Sequence, residues 1–293
     1  MRRLLVALGL IGFVSPAFAA DYALPTLRGS DTYVPPPPAY RWAGFYGGVQ
    51  IGYSISQMDF GDGLGSMVGD ILRNSTLASD VSNWTVLGHS STASTAFGGF
   101  VGYNFQWDET VFGLEGNYNH VSLTRSVADS VSRTFINNTG APPNTTYQYN
   151  VTVSGSSSFQ ITDVATIRAR AGWDAGQFLP YGFWGLALGW TDVSRTASVS
   201  GTRTDTTQQT VCVTGLACGT VPVTGPPAPL ALPGPQTDAA AMVAYGYTAG
   251  LGIDVAFFSN AFARAEYEYI GFAATKGIVA NVNTFRVAVG LKF

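Results

Sequence analysis

The chain ends with the stretch 284-TFRVAVGLKF-293, in which apolar residues alternate strictly with small, polar or charged ones. One face of this stretch would carry Phe285, Val287, Val289, Leu291 and Phe293. The other face would carry Thr284, Arg286, Ala288, Gly290 and Lys292. A period of two is the repeat of a β-strand, whose successive side chains point to opposite faces. The length also suits a tilted strand that crosses membrane hydrocarbon, which takes about 9–11 residues.

Seven earlier stretches repeat this alternation, so the sequence predicts eight strands in all. They cover residues 45–54, 93–107, 112–119, 159–173, 184–191, 245–255 and 263–269. Tight turns are predicted at Asp108-Glu109, Asp174-Ala175-Gly176 and Ser259-Asn260, long connections at 57–91, 125–157 and 193–240, and a brief one at 271–281. Short periplasmic turns that alternate with longer extracellular loops are typical of outer-membrane barrels.

Aromatic residues gather near both ends of the predicted strands, as they do in the interfacial girdles of membrane barrels. One end has Phe45, Trp107, Phe112, Trp173 and Phe293, and the other has Tyr53, Tyr118 and Trp190. On the fourth predicted strand, Phe159, Ile161 and Ile167 are expected to face lipid. Asp163 shares that face, so we expect it at the outer rim.

Composition separates this fold from its alternatives. Charged residues make up only 11% of the chain, whereas a soluble domain carries about 25%. A soluble β-barrel or sandwich would need an exterior rich in lysine and glutamate, and the polar faces here are rich in Gly, Ser, Thr and Asn. No segment after the N-terminus has the about 20 apolar residues of a membrane-spanning helix. We therefore predict an all-β, antiparallel, up-and-down transmembrane barrel of eight strands over residues 44–293, with long extracellular loops.

The N-terminus predicts export. Arg2 and Arg3 precede the short apolar run Leu4–Val14, and Ala17-Phe18-Ala19 fits a signal-peptidase site. Residues 1–19 are thus predicted to be a signal peptide, with a retained anchor as the alternative. Residues 20–43, which include four consecutive prolines, are predicted to be an extended periplasmic segment. The expected location is the outer membrane of a Gram-negative cell, in contact with its lipid.

The polar faces of the predicted strands carry charged residues near their periplasmic ends. They are Glu115, Arg168, Arg170, Asp254, Arg264, Glu266, Glu268, Arg286 and Lys292. An eight-stranded barrel is just wide enough for side chains to fill it, so these groups are predicted to pair as a structural network that plugs the lumen. A catalytic acid–base pair of Glu266 and Glu268 is the disfavoured alternative, because both would project from one strand into a packed interior.

No other group of residues predicts a catalytic, metal or cofactor site. Cys212 and Cys218 lie in a polar, Pro-rich stretch and predict a local disulfide in an exported chain, with two free thiols as the alternative. A metal site is not predicted, because no histidine lies near them. His89 and His120 lack an evident Ser or Asp partner, so the chain is not predicted to be an enzyme. The net charge of −3 disfavours nucleic-acid binding.

Several motifs resemble the opacity-like outer-membrane barrel proteins of alphaproteobacteria, a group of porin-family surface antigens. They are Ala20-Asp21-Tyr22, 42-WAGFYGG-48, 179-LPYG-182, 265-AEYEY-269 and the terminal Phe293. The resemblance covers nearly the whole chain after residue 19, apart from the first three long loops, and implies an abundant surface protein that contributes to envelope integrity. Phe293 resembles the signal read by the barrel-assembly machinery, which implies that partner during biogenesis.

Three functions remain for such a chain. The first is a structural and surface-interaction barrel that displays long loops, whose ligand the sequence does not identify. The second is a small porin-like channel, which a packed charge network disfavours because open channels occur in wider barrels. The third is a membrane-embedded hydrolase or acyltransferase, which would need a polar catalytic group such as His120 at the outer rim.

Overall fold

The computed structural model describes residues 40–212 and 218–293, so the predicted signal peptide and most of the Pro-rich segment lie outside the described residues. The described chain forms ten strands and two short helices. In order they are β1 Gly44–Asp59, α1 Gly65–Ile71, α2 Ala78–Val81, β2 His89–Trp107, β3 Thr110–Ile136, β4 Thr145–Trp173, β5 Phe178–Val211, β6 Gly219–Thr224, β7 Ala228–Pro229, β8 Gln236–Phe258, β9 Ala261–Phe272 and β10 Val279–Lys292.

Eight of these strands close into a ring, in the order β1, β2, β3, β4, β5, β8, β9, β10. Each strand is antiparallel to its neighbours, and β1 closes the ring by pairing with β10 from Tyr46–Lys292 to Asp59–Val279. Closure leaves no strand edge in the ring, so the backbone hydrogen-bonding groups are paired within the protein. The predicted eight-stranded, up-and-down barrel is therefore confirmed.

The outward side chains of the wall form an apolar belt. On β5, Trp184 and Leu186 are 63% and 64% exposed, and Trp190 marks the edge of the belt. The next outward positions on this strand are Asp192 and Ser194. An exposed apolar surface of this extent suits contact with lipid. We call the end of the barrel with the three tight turns the turn end, and the opposite end the loop end.

A β-bulge between Ile161 and Asp163 reverses the two faces of β4. Val164, on the turn-end side of the bulge, is buried inside the barrel, and so are Ile161 and Phe159 beyond it. The prediction that Phe159 and Ile161 face lipid is therefore wrong, because one extra residue shifts the alternation of side chains by one position.

The long connections 125–157 and 193–240, which the sequence predicted to be loops, consist largely of further strand. The β3–β4 ladder continues to Ile136–Gln148, and the β4–β5 ladder continues to Thr145–Thr207. Strand prediction failed here because the outward positions beyond the belt are mostly Ser and Thr instead of apolar residues. Continued pairing nevertheless satisfies the backbone groups. We call this part of the wall, residues 124–160, 192–211 and 236–241, the extension.

Residues 60–87, which we call the loop-1 cap, close the loop end of the barrel. The apolar side chains of this segment are buried: Phe60, Leu64, Met67, Val68, Ile71, Leu72, Leu77, Val81, Val86 and Leu87. They form one cluster with inward residues of the wall such as Leu123, Phe159 and Val193. Neither α1 nor α2, nor any other helix among the described residues, has the length and apolar character to cross a membrane. The cap thus has a folded apolar core.

Close approach of the wall to inward aromatic rings depends on glycine. A Cβ on Gly48 would lie 2.6 Å from Cζ of Phe100 and 2.2 Å from the carbonyl oxygen of Val289. Since real Cβ atoms do not come this close to a backbone oxygen, only glycine fits at this position. Gly116 on β3, two strands away in the ring, has open space around its own Cβ position.

We therefore expect Gly48→Ala to lower the free energy of unfolding by about 1–3 kcal/mol, because the added methyl group overpacks the wall. Gly116→Ala is the matched control and should change it by less than about 0.5 kcal/mol. Denaturant titration in detergent micelles, followed by heat-modifiable gel migration, measures both. Equal stability of the two variants would contradict this account of the packing.

Candidate functional site in the barrel lumen

Three layers of side chains fill the barrel, and β9 shows their order along one strand. Phe262 lies in a buried aromatic cluster at the turn end. The next three inward residues are Arg264, Glu266 and Glu268, all buried and charged. Ile270 then belongs to the apolar cluster that continues into the loop-1 cap. The lumen is thus aromatic, then ionic, then aliphatic.

Neighbouring strands bring opposite charges face to face within the ionic layer. The cross-strand partners are Glu115 with Arg168, Asp254 with Arg264, and Glu266 with Arg286. Nε of Arg168 lies 2.9 Å from Oε1 of Glu115, and Nε of Arg264 lies 2.7 Å from Oδ1 of Asp254. Such pairs arise directly from strand register, because facing residues of an antiparallel pair have adjacent side chains.

Other ion pairs cross the lumen and connect distant parts of the wall. Nη1 of Arg168 on β4 donates to Oε1 of Glu266 on β9 at 2.6 Å. Nη1 of Arg264 on β9 donates to Oε2 of Glu115 on β3 at 2.8 Å. Because β3 and β9 are opposite each other in the ring of eight strands, the Arg264–Glu115 pair spans the barrel.

Two further contacts complete a balanced network. Nη2 of Arg170 lies 2.7 Å from Oδ2 of Asp254, and Nη2 of Arg286 lies 2.8 Å from Oε2 of Glu268. Four arginines and four carboxylates therefore share the layer, and every one of these side chains is at most 2% exposed. Burial of charge is tolerated when the charges pair and neutralise one another.

Lys292 lies outside this network, contrary to its predicted place in it. Its ammonium group donates to the carbonyl oxygen of Arg41 and lies 4.8 Å from the ring centroid of Tyr40. Lys292 is the last residue of β10, six positions from Arg286, which corresponds to about 20 Å along a strand. It therefore lies at the rim of the barrel, although the alternation of side chains places it on the same face of β10 as Arg286.

Hydroxyl groups and aromatic rings complete the surroundings of the charges. The hydroxyl of Tyr46 donates to Oε2 of Glu115 at 2.8 Å, and that of Tyr181 donates to Oε2 of Glu266 at 2.7 Å. The guanidinium of Arg170 lies 3.7 Å from the ring centroid of Tyr181. These tyrosines were not among the residues predicted for the network. Extension of the period of two toward the start of β5 would have placed Tyr181 inward.

A second cluster of charges, also missed from the sequence, fastens the loop end. Nη1 of Arg195, which is buried, donates to the carbonyl oxygens of Gly63 at 2.6 Å and Lys276 at 2.9 Å. Its Nη2 lies 2.5 Å from Oδ2 of Asp238. Hydrogen bonds from Arg195 and Lys276 hold the pKa of Asp238 below its usual value. One arginine thus connects the loop-1 cap, the extension and the β9–β10 connection.

The turn end is closed by the described end of the Pro-rich segment. Trp42 is buried, and its Nε1 donates to the carbonyl oxygen of Gly176 at 3.3 Å. The side-chain amide of Asn104 donates to the carbonyl oxygen of Trp42 at 3.1 Å. Tyr40 packs edge-on against Trp42, with ring centroids 4.6 Å apart. These residues cover the aromatic layer on its turn-end side.

The remaining sequence candidates lie away from the lumen network. Cys212 and Cys218 are joined by a disulfide directly beyond the last β5–β6 pair. His89 and His120 each have an aspartate partner, Asp59 at 3.4 Å and Asp163 at 2.9 Å. These partners could not be predicted from the sequence, because they arise from cross-strand register. Within residues 40–212 and 218–293, no three or more His, Cys, Asp or Glu residues are grouped so as to hold a metal ion.

The network predicts a strong dependence of stability on charge balance. Arg168→Met should lower the free energy of unfolding by about 3–5 kcal/mol, because it leaves Glu115 and Glu266 with an uncompensated buried charge. Adding Glu266→Gln should recover part of this loss, since it removes one of the two carboxylates. Denaturant titrations of both single variants and the double variant measure the coupling.

Arg73→Ala is the control, since its exposed pair with Asp70 should contribute at most about 1 kcal/mol. Additive losses for Arg168 and Glu266 would show that the lumen charges do not act as one network.

Comparison with known proteins gives the family. The family model described as "Outer membrane protein beta-barrel domain" matches residues 5–293. The 25 kDa outer-membrane immunogenic protein of Brucella ovis is 24% identical over 289 residues, covering 99% of this chain and 96% of that protein. Its counterpart in Brucella melitensis biotype 1 is 23% identical over 297 residues, covering 99% and 96%.

Two solved structures are similar to the chain. Ail, the attachment invasion locus protein of Yersinia pestis, in complex with the heparin analogue sucrose octasulfate, has a TM-score of 0.34 at 12% identity, covering 85% of this chain and 99% of Ail. Neisserial surface protein A has a TM-score of 0.32 at 13% identity, covering 86% and 98%. The resemblance found in the sequence is confirmed by the family match and the Brucella proteins. The chain is a Gram-negative outer-membrane protein, and it belongs to the outer membrane protein β-barrel domain family.

Proposed function

We propose that this protein is a closed structural barrel that carries a rigid extracellular platform for surface interaction and contributes to envelope integrity. The observation that supports this most directly is the filled lumen. Aromatic, ionic and aliphatic layers succeed one another along the whole barrel, so a solute would have to displace all three.

The space left inside the lumen supports the same proposal. A cavity between the ionic and aliphatic layers, lined by Ser54, Asn119, Leu123, Glu268 and Thr284 among others, has a volume of about 20 Å³. That is room for about one water molecule. A barrel of eight strands has no wider passage to offer once its side chains fill it.

The extension supports the platform role. Its strands stay paired well beyond the apolar belt, and the inward faces pack on the loop-1 cap. Arg195 ties the cap to the wall by hydrogen bonds. A surface built this way keeps its shape when a partner binds, so binding would require little ordering of the chain.

Conductance distinguishes this proposal from the porin-like alternative. The purified protein, inserted into planar bilayers, should give no steady ionic conductance, whereas a wide porin in the same membrane should. Arg168→Ala combined with Glu266→Ala should also stay closed, because the layers on either side of the ionic layer remain. Reproducible openings of the unmodified protein would overturn the closed-barrel proposal.

We propose in addition that Phe293 is the signal read by the barrel-assembly machinery. Phe293 is 83% exposed, and its backbone N–H donates to the carbonyl oxygen of Phe45 at 2.8 Å, beside the seam between β1 and β10. The ring therefore contributes little to packing, although the residue closes the last hydrogen bond of the seam.

Phe293→Ala, which keeps that backbone bond, should reduce the amount of folded protein in the outer membrane of cells. Spontaneous refolding of the same variant into detergent micelles should proceed as for the unmodified chain. Heat-modifiable migration measures both. If the yield of folded protein fell as much in micelles as in cells, Phe293 would have a structural role, and its role as a signal would be contradicted.

A further inference from the structure

A row of four outward side chains crosses four strands at the loop-end edge of the apolar belt. Strand register places Phe97 beside His120, His120 beside Asp163, and Asp163 beside Trp190. Toward the turn end, the outward neighbours are apolar or aromatic, such as Tyr118 on β3 and Ala165 on β4. Trp190 is the last residue of the belt on its strand, so this row lies where lipid headgroups begin.

Asp163 is the centre of this row. Its Oδ1 accepts a hydrogen bond from the Tyr118 hydroxyl at 2.7 Å and lies 2.9 Å from Nδ1 of His120. Both of these contacts are made to Oδ1, and the Thr162 hydroxyl lies near enough to hydrogen-bond the same carboxylate. No lysine or arginine of the described chain forms an ion pair with Asp163. Its negative charge therefore has only an imidazole to balance it.

The exposure of the group matters as much as its contacts. The Asp163 side chain is 23% exposed and the His120 side chain 49%, on the face that lipid touches. An ionisable group at the border of hydrocarbon is unfavourable unless it is paired, so such residues commonly mark functional sites. A cation from the membrane could pair with this carboxylate without entering the protein.

The free atoms of the cluster define the chemistry of the ligand. When Nδ1–H of His120 donates to Asp163, Nε2 of the ring is a free acceptor, and the carboxylate, which has about four lone-pair sites, can accept a further hydrogen bond. A ligand should therefore bring hydrogen-bond donors and positive charge. The ring of Phe97 lies 5.2 Å from that of His120, and the Trp190 ring lies 6.4 Å from that of Tyr118. Aromatic faces beside an anionic group favour a cation.

We propose that Tyr118, His120 and Asp163 form a binding site for the primary ammonium group of an outer-leaflet lipid headgroup. The ammonium donates to Oδ2 of Asp163 and to Nε2 of His120, while the acyl chains lie along the apolar belt toward the turn end. Primary ammonium is specified because it carries N–H donors, which a quaternary ammonium lacks. This inference does not depend on whether the lumen is closed.

Native mass spectrometry of the purified full chain in detergent micelles tests the site. The protein is titrated with short-chain phosphatidylethanolamine and, separately, with phosphatidylcholine of the same acyl chains. These probes have the same net charge and differ in the N–H donors. The first ethanolamine lipid should bind about three- to tenfold more tightly than the choline lipid, the effect of one charge-assisted hydrogen bond.

Asp163→Asn should abolish this preference, and Tyr118→Phe should reduce it while retaining the fold. Asp192→Asn is the matched control, because it removes an outward carboxylate on the neighbouring strand just beyond Trp190, and it should leave the preference unchanged. Heat-modifiable migration verifies that each variant is folded.

Equal binding of the two lipids to the unmodified chain would overturn the proposal, and so would a preference that survives Asp163→Asn. Tighter binding of phosphatidylglycerol than of phosphatidylethanolamine, lost in His120→Phe, would instead indicate a protonated imidazole that binds an anion. That result would also overturn the ammonium site.

Discussion

The structure depends on one constraint: a chain that crosses lipid must satisfy its backbone hydrogen-bonding groups within itself. Strands meet this constraint only when the sheet closes, and here β1 and β10 close it along their whole shared length. Closure then decides the rest, since it divides every strand into a lipid face and a lumen face. Within the apolar belt the outward face must be apolar, so the polar and charged side chains at that depth have only the interior left to occupy.

In that interior a buried charge is tolerated only when an opposite charge neutralises it. Arg168 contacts Glu115, Glu266 and Glu268 at once, so no single pair carries the layer. Buried ion pairs are weak evidence for stability when compared with well-packed apolar residues, whereas an unpaired member is strongly destabilising. The network therefore fixes the relative positions of the strands that contribute to it. A wall shifted by one residue would turn Arg264 or Glu266 toward lipid.

What the sequence could predict follows from the range of each interaction. Alternation is local, so the lumen face of β9 was evident from Arg264, Glu266 and Glu268 without knowledge of any partner. Register is not local, and the aspartates that face His89 and His120 were therefore missed. The position of Lys292 along the barrel axis and the role of Arg195 depend on where the apolar belt ends. The alternation of inward and outward side chains does not reveal this. The loop-1 cap could not be predicted either, because its apolar residues pack against strands that are distant in the sequence.

The bulge on β4 lies where the strand passes from lipid to water, and its one extra residue exchanges the inward and outward faces of the strand. On the turn-end side of the bulge, Ile167 faces lipid and Arg168 faces the lumen, as the membrane requires. Without the extra residue, unbroken alternation would carry Phe159 and Ile161 outward into water and bring Gln160 and Thr162 into the apolar core beneath the cap. With it, Phe159 and Ile161 join that core, and Gln160 and Thr162 lie on the outer face. The inversion occurs beside Asp163, at the border of the belt, because this is where the outer surroundings change from lipid to water.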